Sequence, residues 1–197
     1  MSIFLNLLSA ALYVMLFQNL IFNGGYGLSE AVRMSAKPRQ LLPMAVFITL
    51  FSTVTSAICV LVDFIPVIRK RSEIVHALIY VCVLLAIYIF VMVAVNLYGK
   101  VQPATKRRIG IAAFNTLVLA MPLINYRSAF TVIESIGAGL GAGLAYIIAV
   151  LLINGGLKKL DTNTFIPKCF KGTPAIFIYT AILSLAFTGI SGTSVFI

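Results

Sequence analysis

Acidic residues are scarce in this chain. Its 197 residues include five, Glu30, Asp63, Glu73, Glu134 and Asp161, and no two share a helical face at close spacing, so no paired-carboxylate site is encoded. Histidine occurs once, as His76, and cysteine three times, as Cys59, Cys82 and Cys169, without Cys-x-x-Cys spacing. Metal sites need several converging ligands, so His76 reads as an interfacial or packing residue. Cys59 and Cys82 fall inside apolar runs, where a thiol acts as a small apolar filler. No nucleophilic triad or phosphate loop can be composed, and no catalytic residue is expected. Charge of either sign is thin: 10% of residues are charged against 61% hydrophobic, with a mean hydropathy of +1.07. That balance excludes an ordinary soluble domain.

What is present is a series of apolar runs. A spanning helix needs roughly 20 apolar residues, and Ser2 to Phe22, Leu41 to Ile68, Ile74 to Leu97, Ile109 to Ile124, Gly137 to Asn154 and Thr173 to Phe196 supply six candidates. The first lacks the basic start and small-residue cleavage site of a signal peptide and is read as mature structure.

The net charge of +10 comes from short clusters between these runs. Arg33, Lys37 and Arg39 occupy the first loop, Lys100, Lys106, Arg107 and Arg108 the third, and Lys158, Lys159, Lys168 and Lys171 the fifth. Positive loops stay in the cytoplasm, so both termini are expected outside, with Arg69 to Arg71 on the disfavoured side. The bases are topology signals, not a nucleic-acid surface.

Two apolar runs are interrupted. Phe22-Asn23-Gly24-Gly25-Tyr26-Gly27-Leu28-Ser29-Glu30 breaks the first and Pro122-Leu123-Ile124-Asn125-Tyr126-Arg127-Ser128 the fourth, with Ser29 and Ser128 99 positions apart. Irregular backbone in lipid must be enclosed by protein or line a polar cavity. The expectation is therefore an all-α integral membrane domain over 1–197: six transmembrane helices as two inverted three-helix repeats, about 1–98 and 109–197, with broken first and fourth helices around a central site. Beyond the second break, Gly137, Gly139, Gly141 and Gly143 form two small-xxx-small pairs that predict close helix packing. A nucleotide-binding loop is disfavoured, since no strand precedes them.

Several segments carry a resemblance: Gln18-Asn19-Leu20 with Gly27-Leu28-Ser29, Ile58-Cys59 to Asp63, Pro122-Leu123-Ile124 with Ser128-Ala129, Lys171-Gly172, and Leu185 to Gly192. In order and spacing the chain resembles the small membrane subunits of the Rnf and sodium-pumping NADH:quinone oxidoreductase (Nqr) complexes, specifically the A-type subunit of Rnf and its E-type counterpart. The resemblance covers almost the whole chain. It implies a bacterial cytoplasmic (inner) membrane complex coupling electron transport to Na⁺ or H⁺ movement, in which the partner is a homologous membrane subunit.

In that family each broken helix carries a cysteine, in Gly-Leu-Cys and Thr-Asn-Cys contexts, which together hold half of a two-iron two-sulfur cluster. By the resemblance those positions read Ser29 and Ser128 here, and hydroxyls are poor substitutes for thiolates. No metal is expected at them, and flavin or iron–sulfur cofactors are assigned to partner subunits. Beside the serines, Glu30 and Arg127 form a candidate ion pair bridging the breaks. An unpaired charge at mid-membrane costs about 2.5 to 3.5 kcal/mol. Asp63 and Glu134 are candidates for an ion path, although each also reads as a residue of the membrane interface. Two functions remain open: membership of an Rnf-like complex with a scaffold or ion-path role, and a clusterless inverted-repeat transporter of a small solute or cofactor.

Overall fold

The computed structural model describes residues 2–99 and 101–192, and every regular element among them is helical. Five helical stretches are long and apolar enough to cross a bilayer: Pro38–Asp63, Glu73–Leu97, Pro103–Arg127, Val132–Thr162 and Thr173–Ser191. The sixth expected crossing falls short, with an apolar helix confined to Ile3–Phe17. Helix α1 (Ser2–Leu12) widens into a π-helical turn over Tyr13–Phe17, and Gln18 and Asn19 then leave helical geometry. Phe196, the expected end of the last run, lies outside the described residues.

After that break come two short helices, α2 (Leu20–Gly24) and α3 (Leu28–Ser35). The sequence predicts non-helical backbone after Gly24. Instead α3 forms there, its terminal charges Glu30 and Arg33 matching the helix dipole. A 3₁₀ turn at Pro38–Gln40 leads into α4 (Leu41–Asp63). The short α5 (Pro66–Arg69) and the long α6 (Glu73–Tyr98) complete the first half. The second half contains α7 (Pro103–Ala113), α8 (Thr116–Arg127), α9 (Val132–Thr162) and α10 (Thr173–Ser191).

Helix α9 is the centre of the molecule. In its apolar window 61% of the residues are buried, against 11% for α6, whose Leu78, Leu85, Ile89 and Phe90 face outward as lipid-exposed side chains do. Its start is fixed by a capping box: the Glu134 amide donates to Thr131 Oγ1 at 3.4 Å, while the Thr131 amide donates to Glu134 Oε2 at 2.8 Å. Its 31 residues extend about 46 Å, the thickness of a bilayer with headgroups.

The alternate glycines of α9 serve two different neighbours. A Cβ at Gly137 would lie 2.2 Å from the Leu7 carbonyl oxygen and one at Gly141 2.4 Å from that of Ala11, so this pair receives α1. A Cβ at Gly139 would lie 2.5 Å from Thr53 Cα and one at Gly143 1.8 Å from Thr49 Oγ1, so the other pair receives α4. Without a hydrophobic drive between helices in lipid, backbone approach of this kind supplies the packing energy. The halves interlock around α9: it packs on α1 and α3 of the first half, and α4 packs on α7 and α8 of the second.

Candidate functional site: the junction of the two breaks and a buried polar cluster

Each break is built on an asparagine. Asn19 Oδ1 accepts from the amides of Ile21 at 3.1 Å and Phe22 at 3.4 Å, and its Nδ2 donates to the Met15 carbonyl at 3.1 Å. One side chain thus closes the π turn and caps α2. Asn115 likewise caps α8, accepting from the Leu117 amide at 2.9 Å. Asparagine is favoured here because its oxygen satisfies the free N–H groups of a helix start.

The two breaks touch. The Gly27 amide, just before α3, donates to Thr116 Oγ1 at 2.7 Å across 89 residues of sequence. Gly27 has φ +76°, and a Cβ there would lie 2.7 Å from Asn115 Oδ1 and 3.2 Å from Leu117 Cβ. Glycine is needed both for the backbone and for the space. The N-termini of α3 and α8 meet at this contact, presenting the positive ends of two helix dipoles to each other's polar groups.

This geometry corrects the expected site. The sequence places the second interruption over Pro122 to Ser128, but α8 runs unbroken through Pro122, and the chain breaks before it at Phe114–Asn115. Ser128 caps the far end of α8, about 18 Å along the axis from Thr116, while Ser29 is the second residue of α3, close to Gly27. Both serines are exposed. The residue of the second half that meets the first break is Thr116. The expected Glu30–Arg127 bridge is also replaced. Arg33 donates to Glu30 through Nε at 2.9 Å and Nη2 at 2.6 Å, one helical turn away, and Arg127 Nε donates to Glu73 of α6. Each charge has a nearer partner than the other. The Glu30 carboxylate holds the Arg33 guanidinium above its ordinary proton affinity.

Asp63 belongs to a cluster that the sequence does not announce. Its Oδ2 accepts from Tyr80 Oη at 2.5 Å, and its Oδ1 lies 3.0 Å from His76 Nδ1. His76 is fully buried, with its ring stacked 4.1 Å from that of Tyr126, and its Nε2 has no partner among the described residues. Beside the cluster, a cavity of about 530 Å³ is lined by Asp63, Arg69, Asn125 and Tyr126, among others. Asn125 is fully buried with neither amide atom partnered among the described residues. From Asp63 back along one face of α4, at helical spacing, come Cys59, Ser56, Thr55 and Ser52. The three hydroxyls are buried without hydrogen bonds among the described residues. Glu134, the other expected path residue, spends its carboxylate on the Thr131 cap. The only signal for the cluster in the sequence is the His76/Tyr80 spacing of one helical turn in a chain with few polar residues.

A family model described as Rnf-Nqr subunit, membrane protein, matches residues 7–194. The chain belongs to the Rnf-Nqr family. Among similar proteins are the A-type subunit of the Na(+)-translocating ferredoxin:NAD(+) oxidoreductase complex of Acetobacterium woodii, 24% identical over 88% of this chain and 91% of that one, and the A-type subunit of the ion-translocating oxidoreductase complex of Rhodobacter capsulatus, 28% identical over 94% of each. The corresponding protein of the proton-translocating ferredoxin:NAD(+) oxidoreductase complex of Clostridium ljungdahlii is 34% identical over 52% of this chain and 55% of its own. The relatives are thus named for more than one ion.

Ser29 and Ser128, the positions the resemblance assigns to the family's cysteines, offer hydroxyls, as does Thr116 at the junction, and these do not fit an iron–sulfur cluster, which is held by thiolates. Cys59 is buried on α4, Cys82 lies on α6 and Cys169 in the turn before α10, and no group of three or more potential metal ligands forms among the described residues.

Proposed function

We propose that this chain is an A-type membrane subunit of an Rnf-like complex that couples electron transport to ion translocation. Membership of the Rnf-Nqr family over residues 7–194 carries this reading. Within it the chain is a clusterless half, with electrons passing through flavin or iron–sulfur groups of partner subunits. Its own part is scaffold and ion path, beside a homologous partner in the bacterial inner membrane.

Two inverted repeats account for the architecture. Their support is the shared order of elements in each half, namely a first helix, an Asn-capped break, a long helix and a final apolar helix, together with the reciprocal packing of α4 and α9 on the opposite half. Arg33 and Lys37 line one cavity with Arg107 and Arg108, which gathers two basic clusters at one end of the molecule. The positive-inside bias makes that end cytoplasmic, with both termini outside.

The test is purification of the tagged chain from its native membranes. A flavin-carrying chain should co-purify, together with a homologous membrane subunit. Recovery of the chain alone, with solute uptake by the isolated protein in vesicles, would replace this reading with that of a carrier.

A further inference from the structure

We propose that His76, oriented by Asp63 and Tyr80, is a proton-holding site inside the membrane, entered from the cavity beside Asn125 and leading to the buried hydroxyls of α4. The inference rests on the reading of the chain as part of an ion-moving assembly and names the ion that this part of it handles.

The hydrogen bonds fix the chemistry. Tyr80 Oη has one proton, which it gives to Asp63 Oδ2 at 2.5 Å. As a carboxylate, Asp63 can only accept through its second oxygen, 3.0 Å from His76 Nδ1, and Tyr80 Oη, its proton given to Asp63, lies 3.3 Å from the same nitrogen, which assigns the ring proton to Nδ1. Nε2 is therefore a bare acceptor with its lone pair in the plane of the ring. It is fully buried, and nothing among the described residues donates to it. A buried acceptor left open is costly, and at a membrane site such a cost marks function. Uptake takes one proton onto the Nε2 lone pair from the side of the cavity, whose wall includes Asp63 and Tyr126 in contact with the ring, and release returns it. No electron moves, and the imidazolium charge is offset by the Asp63 carboxylate.

The same contacts argue against a metal cation. Hard cations take oxygen ligands, yet both Asp63 oxygens already face donors and the free atom of the cluster is a nitrogen. Asn125, buried and unpartnered among the described residues on the cavity wall, is suited to hold the water that delivers the proton. Ser56, Thr55 and Ser52, within about one turn of each other on α4, offer further hydroxyls without partners among the described residues, farther along the helix from Asp63.

Other titratable groups surround the ring. Besides Asp63, α4 contributes the buried thiol of Cys59. Helix α6 contributes Tyr80 and Glu73, the latter paired to Arg127 of α8. Helix α8 also contributes the stacked Tyr126, and Arg69 after α4 lines the cavity. Among the described residues, Asp63 is the one carboxylate in direct contact with the ring.

His76 is the chain's single histidine, so ¹⁵N-histidine labelling of the full-length protein in lipid vesicles reports this site without assignment. The expected spectrum at alkaline pH is a neutral ring protonated on Nδ1 and bare on Nε2. On acidification a second ring proton should appear on Nε2. In Asp63→Asn the amide can donate to Nδ1 where the carboxylate oxygen accepts, so the neutral ring should shift toward the form protonated on Nε2. A neutral wild-type ring protonated on Nε2, a ring that gains no proton on acidification, or Asp63→Asn with the wild-type tautomer, would each overturn the proposal. The wild-type spectrum is decisive by itself should Asp63→Asn fail to insert. The single chain is measured, so a failure to co-purify partners leaves this result standing, and the reverse holds too.

Discussion

The amide of Gly27 donates to the side-chain oxygen of Thr116 at 2.7 Å, joining the break of the first half to that of the second. Each break supplies what the other lacks. The left-handed Gly27 exposes an N–H that α3 cannot use, and Thr116, at the first position of α8, turns its hydroxyl toward it. A buried amide left without that acceptor would cost about 1 to 3 kcal/mol in a place where water is scarce.

Thr116→Ser should therefore behave as the wild type, while Thr116→Ala should lower the thermal stability of the detergent-solubilised chain by an amount corresponding to about 1 to 3 kcal/mol. Equal stability of the two variants would show that the contact carries no weight.

Gly27→Ala should be worse than Thr116→Ala. It combines a strained positive φ, of order 1 to 3 kcal/mol, with a Cβ only 2.7 Å from Asn115 Oδ1. Gly25 also has positive φ, at +70°, but nothing lies within 4 Å of its Cβ position, so Gly25→Asn, which tolerates that backbone, should be accepted. Melting curves of the two variants separate the steric part from the backbone part.

The glycines of α9 give a sharper contrast. Gly143→Val would drive a branched side chain into Thr49 and separate α9 from α4, and Gly141→Val would do the same against α1. Both should abolish the folded monomer on size-exclusion chromatography. Gly155, on the same helix with open space around it, should accept alanine with a gain of about 0.5 to 1 kcal/mol from helix propensity. Indifference at Gly143 would refute the packing account of the glycine stripe.

Composition and run length make the membrane class legible, because bilayer thickness sets a length that Leu41 to Ile68 or Thr173 to Phe196 must meet. The glycine stripe is legible for the same kind of reason, since four small residues at helical spacing have one economical use in lipid. The site is harder to read. Ser29 and Ser128 stand out because they flank glycine-rich or charged segments; the turn at Gly27 does fall in the first of these, but the second break lies at Asn115, and the capping roles of Asn19 and Asn115 depend on a few short-range hydrogen bonds. Local sequence also does not reveal that Glu30 has Arg33 one turn away as its partner or that Arg127 reaches Glu73 across 54 residues. Asp63, His76 and Tyr80 come from two helices, and only their packing shows that they form one network.

Cross-linking measures the central claim directly, in a background with Cys59, Cys82 and Cys169 replaced. Ser29→Cys should be joined to Thr116→Cys by a short bifunctional thiol reagent, and should fail to join Ser128→Cys at the other end of α8. A link to position 128 with none to position 116 would contradict the meeting of the two breaks at Gly27 and Thr116.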